Sequence, residues 1–357
     1  MPPSSVHFNG SVNLPDAETV MREISSRIPT GVRRMTDGET GERNYWIHFQ
    51  IQKFLAMPEL QSLSSGQAYE TDDASAPAMP QLRLAQGVSP ADVNWPDLGY
   101  ADAYAESFGV FKALQDEGTI PSGVRFQMQY PTPIAPLAGA VVPEDLPKLA
   151  PSYEAALFAD LDKALATIGH DRSAVQWDVA VEFGMLEGAF GPPGAAPPLE
   201  AIAASLARSA DHVPDDVPVG MHLCYGDYGH QHFKQPESLE LQVKLVNAVL
   251  AATNRPINWF SFTVPQGRSD ESYFAPLSDL QAGPETELYF ALVPYYPDDQ
   301  PSGATAEQVR LIDASLARSS SGARDWGICT ECGMGRVAQE DVPTLLDLHG
   351  EILVSAD

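Results

Sequence analysis

The stretch Pro218-Val-Gly-Met-His-Leu-Cys-Tyr225 is mostly apolar and predicts a buried β-strand, and a helical stretch over 236–252 follows it. The same alternation of strand and helix recurs along the chain, which is typical of parallel β/α architecture. Further helices are predicted at 200–210, 304–317 and 342–354. The predicted strands cover 5–12, 33–39, 124–130, 174–183, 218–225, 258–264, 287–295 and 326–332.

Eight strand and helix units, with no linker that divides them, predict an α/β protein with a single (β/α)8 barrel of the TIM type. One domain over residues 1–357 then accounts for the whole sequence. The extra length lies at 57–100, after the second strand, and contains five prolines and the acidic run Glu70-Thr-Asp-Asp73. We expect this insertion on the catalytic face, either as a solvated loop or as a lid over the site.

Composition excludes several classes of partner. The formal net charge of -27 disfavours nucleic acid and anionic lipid surfaces. No apolar run is long enough to span a bilayer, and the start MPPSSVHFNG lacks a basic segment followed by an apolar one, so we expect a cytoplasmic protein. The three cysteines are too few for a disulfide framework and are available as ligands.

In a barrel of this type the active site forms at the carboxyl ends of the strands, so polar residues there carry the most weight. On the fourth strand, alternation predicts that Gln176, Asp178 and Glu182 share the inner face. Buried carboxylates need a partner. That partner is a metal, a substrate donor or an inward arginine, for which Arg33 and Arg125 are the candidates.

The fifth strand carries His222 and Cys224, which lie two residues apart and therefore project to one face. Cys329 and Cys332, at the end of the eighth strand, offer further thiol ligands. One histidine and two thiolates would form three corners of a catalytic zinc site with an open fourth position. Two alternatives stay open: an interior histidine with buried thiols as small hydrophobes, and a redox pair formed by the two cysteines of the eighth strand.

Other polar residues follow the first, second and fifth strands. Asp37, Glu39 and Arg43, in the sequence DGETGER, are expected to shape the second side of the pocket. Beyond the fifth strand, one of His230 and His232 is expected at the surface. The residues predicted to contact substrate are Asn9, Ser11, Glu39, Arg43, Gln176, Tyr225, Asp227 and His230.

These motifs resemble the cobalamin-independent methionine synthase superfamily, which shares its barrel with uroporphyrinogen decarboxylase and with zinc-dependent thiol alkyltransferases. His222-Leu-Cys224-Tyr225 is similar to the family's H-x-C-Y zinc motif, and the segment beginning at Cys332 is similar to its C-G-L segment. Asn9-Gly-Ser11 is similar to the turn that contacts the amino-acid thiol, and Gln176 with Asp178 is similar to the Q-x-D-E-P segment. The resemblance covers the whole chain, and it is to the catalytic, C-terminal barrel of the long synthases and not to their N-terminal barrel.

The resemblance implies Zn²⁺ held by His222, Cys224 and Cys332, and a methyl- or alkyltransferase that activates a small thiol as a zinc thiolate for attack on an alkyl donor. Asp178, Glu182 and Asp37 are the expected catalytic residues. The partners are the thiol and the alkyl donor, and self-association into a homo-oligomer is compatible with this reading. Metal-independent lyase or decarboxylase chemistry, and a zinc-retaining binding protein without turnover, are the alternatives.

The sequence departs from the family in two places. The sixth strand, 258–264, contains no acid where the synthases place a glutamate ligand, so substrate, water or Glu182 is left to complete the site. The fourth strand lacks the D-E-P sequence. Six lysines and the large negative charge disfavour a polyglutamylated folate as the donor and favour a simpler alkyl donor or a monoglutamyl folate.

Overall fold

The computed structural model describes residues 3–63, 80–190, 196–227 and 230–354. Eight parallel strands form one sheet, and two further strands, β3 and β4, pair antiparallel. The strands are β1 (Ser5–Val6), β2 (Arg34–Met35), β3 (Leu60–Ser62), β4 (Leu82–Leu84), β5 (Arg125–Pro131), β6 (Ser173–Val179), β7 (Val219–Leu223), β8 (Trp259–Phe262), β9 (Glu287–Ala291) and β10 (Gly327–Cys329).

Helices separate the strands, as the alternating pattern predicts. They are α1 (Ala17–Arg27), α2 (His48–Leu55), α3 (Tyr100–Asp116), α4 (Ile134–Ala140), α5 (Leu146–Ile168), α6 (Val181–Leu186), α7 (Leu199–His212), α8 (Glu240–Ala252), α9 (Glu271–Phe274), α10 (Ala304–Leu316) and α11 (Val342–Val354). Short 3-10 turns occur at Gly41–Tyr45, Pro90–Asp92, Ala275–Asp279 and Pro297–Asp299. Among the described residues, no helix combines the length and the apolar character that crossing a membrane requires.

The strands of the parallel sheet follow the order β2, β5, β6, β7, β8, β9, β10, β1. From β5 to β10, strands that are consecutive along the chain are neighbours in the sheet, and β1 lies beside β10. At its ends, one parallel bridge joins Val6 of β1 to Val32, just before β2, and the Val6 N–H donates to Gly31 O at 3.0 Å. The sheet is therefore barrel-like, in agreement with the predicted architecture at this level.

Several predicted strands are too long. The first and second run for two residues each, and the residues after Met35 lead into a turn at Gly38 and Glu39. The fourth ends at Val179, and Ala180 takes a helical ψ of -51° before α6 begins at Val181. The predictions of strand existence and order hold, whereas the strand ends depend on turns that periodicity does not reveal.

Residues 57–100 contain β3, β4 and the turn at Pro90–Asp92. Leu82 forms a parallel bridge with Val141, and Leu84 N–H donates to Asp145 Oδ2 at 2.9 Å. The β3 and β4 pair therefore packs against the loop between α4 and α5. The acidic run at 70–73 lies outside the described residues.

Side-chain alternation separates an apolar outer layer from a polar interior. On β6, Trp177 points outward to the ring of Phe158 on α5, with centroids 6.0 Å apart. Gln176 points inward, where its Nε2 donates to Asn9 O at 3.0 Å. On β5, Gln127 likewise donates inward to Phe8 O at 2.8 Å. The interior of the sheet is thus lined with groups that need hydrogen-bond partners, and the polar site lies at its carboxyl end.

Gly220 on β7 leaves the space that the Trp259 indole occupies inside the sheet. A Cβ at Gly220 would lie 2.0 Å from that ring. We expect Gly220→Ala to destabilise the protein by about 1–3 kcal/mol, because the buried indole must move. In the matched control, Gly109→Ala on the exposed side of α3, the new Cβ meets nothing within 4 Å and should add roughly 0.5–1 kcal/mol of stability. Urea unfolding of both variants tests this, and equal effects would contradict it.

Candidate metal centre

The carboxyl ends of β7 and β10 bring His222, Cys224 and Cys332 together. Their ligand atoms all lie within 4.8 Å of one another, and the two Sγ atoms are 3.4 Å apart. His222 and Cys224 are almost fully buried, and Cys332 is partly buried. One imidazole and two thiols at this separation form a set of donors that suits Zn²⁺.

The ring of His222 lies between two oxygen atoms. Because β6 and β7 are in register, Asp178 faces His222, and its Oδ1 lies 3.4 Å from Nδ1. On the other side, Nε2 lies 3.3 Å from Glu331 O. Burial disfavours the charged ring, but the neighbouring Cys224 and Asp178 raise the pKa of His222 to about 10. The ring therefore lies in an electronegative environment that also suits a cation.

The two thiols of the group differ in acidity. The hydrogen bond shared with Cys332, together with the nearby His222, lowers the pKa of Cys224 to about 6 against burial. The same hydrogen bond and burial raise the pKa of Cys332 well above its usual value. The backbone N–H of Gly226 also donates to Cys224 Sγ at 3.3 Å. Cys224 is therefore the thiol that ionises first.

Cys329 lies apart from this group, on β10. It is fully buried, and burial raises the pKa of its thiol well above the usual value. Of the two cysteines at the end of β10, the structure brings Cys332 to His222 and Cys224. The 3.4 Å sulfur contact is between Cys224 and Cys332, so the geometry does not support a redox pair within the Cys329 and Cys332 segment.

An open pocket lies over the three donor residues. Most of the residues that line it have polar side chains, among them three acidic residues and one arginine. The lining consists of Asn9, Ser11, Glu39, Trp46, Asp178, Ala180, His222, Cys224, Gly226, Asp227, Cys332, Gly333 and Arg336. Asn9, Ser11, Glu39, Asp178 and Asp227 thus lie where the sequence analysis expects site residues.

The turn after β2 carries Glu39 into the pocket. Its φ of 46° is in the left-handed region, and Glu39 N–H donates to Asp37 Oδ1 at 3.0 Å. The other oxygen of Asp37 accepts from Arg43 Nη2 at 2.5 Å. Burial and the charge of Asp178 raise the pKa of Glu39 well above its usual value. Asp37 and Arg43 are buried as an ion pair and do not line the pocket. They hold the backbone of Glu39 in place, and this position does not favour Asp37 as a catalytic group.

Backbone strain in the described residues concentrates at this site. The non-glycine residues with positive φ in this part of the chain are Glu39, Trp46 and His230. Glu39 and Trp46 line the pocket, and His230 N–H donates to Asp227 O at 3.0 Å. Such conformations persist only where the surrounding structure holds them, and they cluster at functional sites.

Glu182 is on α6 and not on the inner face of the fourth strand, so the prediction that it alternates with Gln176 and Asp178 is wrong. Its side chain is buried beside Thr132, and burial raises its pKa to about 7. It does not line the pocket. The two arginines considered as partners also lie elsewhere: Arg33 pairs with Glu287 at 2.7 Å, and Arg125 donates to backbone carbonyls.

The residues after β7 divide between the pocket and its surroundings. Tyr225 points away from the pocket and donates to Glu187 Oε1 at 3.3 Å. His230 stacks on Tyr295 at 4.3 Å, outside the lining. His232 Nε2 lies 2.6 Å from Glu331 Oε2, and its side chain is only 6% exposed. The loop after β10 contacts His232 through Glu331, and both histidines stay partly exposed, so the expectation that one of them lies at the surface stays a prediction.

Sequence reasoning missed Trp46 and Arg336 as pocket residues. Arg336 Nη2 lies 3.3 Å from Asp227 Oδ1, and its Nη1 donates to Asn44 O at 3.0 Å. The only available signal was the proximity of Arg336 to Cys332 in the segment CGMGR. The glycines of that segment permit close packing, since a Cβ at Gly333 would lie 2.5 Å from Ser11 Oγ.

No family model and no curated protein matches the chain. Among solved structures, it is similar to the crystal structure of the "Putative Vitamin-B12 Independent Methionine Synthase" from Listeria monocytogenes. The alignment covers 95% of this chain and 86% of that chain, with a TM-score of 0.53 and 14% sequence identity. At this identity the likeness shows a shared fold alone.

Proposed function

We propose that the protein is a zinc-dependent alkyl- or methyltransferase of the methionine-synthase type, which activates a small thiol for attack on an alkyl donor. The observation that carries this proposal is the grouping of His222, Cys224 and Cys332 within 4.8 Å at the base of an open pocket. The fold shared with the Listeria protein supports it. We also propose a closed (β/α)8 barrel as a single domain, with residues 57–100 as an insertion and partial lid.

The donor residues fit zinc chemically. Cys224 has a pKa of about 6, so it presents a thiolate near neutral pH. Two thiols and one imidazole leave a fourth position for substrate, as in catalytic zinc sites. When bound, zinc supplies a Lewis acid that lowers the pKa of a thiol substrate from about 8.5 toward neutral pH. With two cysteine ligands, the centre carries little net positive charge, so a substrate sulfur keeps its nucleophilicity.

The chain's own residues then orient the reactants. Asp178 holds the ring of His222, while Asn9 and Ser11 line the wall that faces the Cys332 segment. Glu39 and Asp227 present carboxyl groups to the pocket, and a positively charged group on the substrate would favour the ionised form of Glu39, whose pKa burial and Asp178 raise. Burial raises the pKa of Glu182 to about 7, in the range that suits a proton donor to a leaving group, but its side chain lies outside the pocket lining.

Metal content and turnover, measured together, test the proposed function. Protein purified without chelators should contain about one zinc per chain. Chelation should abolish alkylation of a panel of small thiols by small methyl donors, followed by mass spectrometry, and added Zn²⁺ should restore it. Protein that lacks zinc yet turns over would favour the metal-independent lyase. Zinc-loaded protein that binds thiols without alkylating them would favour the binding protein.

A further inference from the structure

We propose that Gln176 and His7 are positioning residues for the ligand His222, and that they act on it through Asp178. This inference rests on the proposed metal site. Gln176 and His7 are both buried, and neither lines the pocket, so they touch neither substrate nor metal. A line of side-chain contacts nevertheless joins them to the ring of His222.

The amide of Gln176 uses all of its hydrogen-bonding capacity. Its Nε2 donates to Asp178 Oδ1 at 2.9 Å and to Asn9 O at 3.0 Å. Its Oε1 lies 2.6 Å from His7 Nε2 and 3.4 Å from Trp259 Nε1. A flipped amide would set its oxygen against two acceptors and its NH₂ against the indole N–H of Trp259. The network therefore permits one orientation, the one that presents an N–H to Asp178.

His7 helps to fix the orientation of the Gln176 amide through its contact with Oε1. Burial and the nearby Arg34 lower its pKa well below the usual value, so its ring is neutral and carries a single N–H. Because Gln176 Oε1 is an acceptor, that N–H is on Nε2. The ring of His7 also packs against the ring of Tyr289, with centroids 4.9 Å apart. The donor is thus held in place by packing as well as by its hydrogen bond.

Asp178 connects Gln176 to His222, because its Oδ1 contacts both side chains. With Oδ1 fixed by Gln176, the carboxylate faces Nδ1 of His222 at 3.4 Å. A carboxylate beside Nδ1 restrains the rotation of the ring and so holds its nitrogen atoms in place relative to Cys224 and Cys332. Outer partners of this kind orient metal-binding histidines, and their loss typically lowers metal affinity by about 10–100-fold.

Gln127 offers a matched control. It is also a buried, inward-facing glutamine, on the neighbouring strand β5, and its Nε2 donates to Phe8 O at 2.8 Å. Within the described part of the chain, its hydrogen bonds do not lead to Asp178 or His222. Gln176→Met and Gln127→Met thus remove the same amide from the same polar interior, and only the first breaks the line of contacts that leads to His222.

The experiment measures zinc affinity by competition with a chromophoric chelator, and the absorption spectrum of the Co²⁺-substituted protein. We expect Gln176→Met to weaken zinc binding by about 10–100-fold and to change the Co²⁺ ligand-field bands, while Gln127→Met changes both by less than about 3-fold. Equal losses in the two variants would overturn the inference, because they would indicate a general effect of removing a buried amide. Unchanged affinity in Gln176→Met would overturn it as well.

A second variant keeps the inference testable if Gln176→Met does not fold. His7→Phe retains the aromatic packing and removes the donor to Gln176. We expect this variant to lose less zinc affinity than Gln176→Met does. The double variant with both changes should lose no more than Gln176→Met alone, because His7 acts through Gln176. Additive losses would contradict this order of action. If wild-type protein binds no zinc, the proposed function itself fails, which is a different outcome from equal binding by wild type and variants.

Discussion

Cys332→Ser is expected to lose zinc almost completely, with affinity reduced by more than about 100-fold, beyond the range for outer-shell changes. Cys332 offers one of the ligand atoms that lie within 4.8 Å of one another, and a serine hydroxyl does not replace a thiolate on zinc. Alkylation of thiols should fall with the metal. Elemental analysis, together with thiol alkylation measured on the same preparation, checks this result.

Cys329→Ser is the matched control, since it makes the same chemical change three residues away. Cys329 is buried on β10 and lies outside the group of ligand atoms. We expect this variant to retain zinc and turnover, with at most a modest loss of stability. If Cys329→Ser lost the metal and Cys332→Ser kept it, the ligand assignment would be wrong, although the site would remain at the end of β10.

Glu287→Gln is expected to destabilise the protein by about 3 kcal/mol, at the low end of the range for breaking a buried ion pair because the Glu287 side chain is 23% exposed. Glu287 accepts from buried Arg34 at 2.5 Å, from Arg33 at 2.7 Å and from Tyr289 at 2.6 Å. Without the carboxylate, the guanidinium of Arg34 stays buried without its counter-charge. The free energy of unfolding from urea titrations measures the effect.

The same pair makes the effect depend on pH. Although burial opposes ionisation, Arg34 lowers the pKa of Glu287 from 4.5 to about 2. The folded pKa is depressed, so the stabilisation is fully present above pH 4.5 and is lost as the pH falls from 4.5 toward 2. The difference in the free energy of unfolding between wild type and Glu287→Gln should therefore become smaller as the pH falls from 4.5 toward 2. Glu307→Gln breaks an exposed pair with Arg310 and should change the free energy of unfolding far less, because solvent screens that pair. A loss of similar size in the two variants would refute the burial argument.

Much of the fold and part of the site follow from local pattern. Strand alternation predicts that His222 and Cys224 share a face and that Gln176 and Asp178 point inward, and both pairs do so. The prediction was wrong for Glu182, because a change in backbone direction at Ala180 interrupts the period that places every second residue on one face. Periodicity predicts sides only while the strand continues.

The order of strands and helices, the polar inner face of the sheet and the spacing of His222 and Cys224 are properties of neighbouring residues, so the sequence is sufficient to predict them. Contacts between residues about a hundred positions apart or more decide which cysteine lies beside His222 and Cys224. Contacts of this kind also place Arg336 in the pocket. The contact of His7 with Gln176 likewise spans 169 positions. Such contacts arise only when the sheet brings the strands into register and the turns at their carboxyl ends pack against one another, and no local pattern encodes that packing.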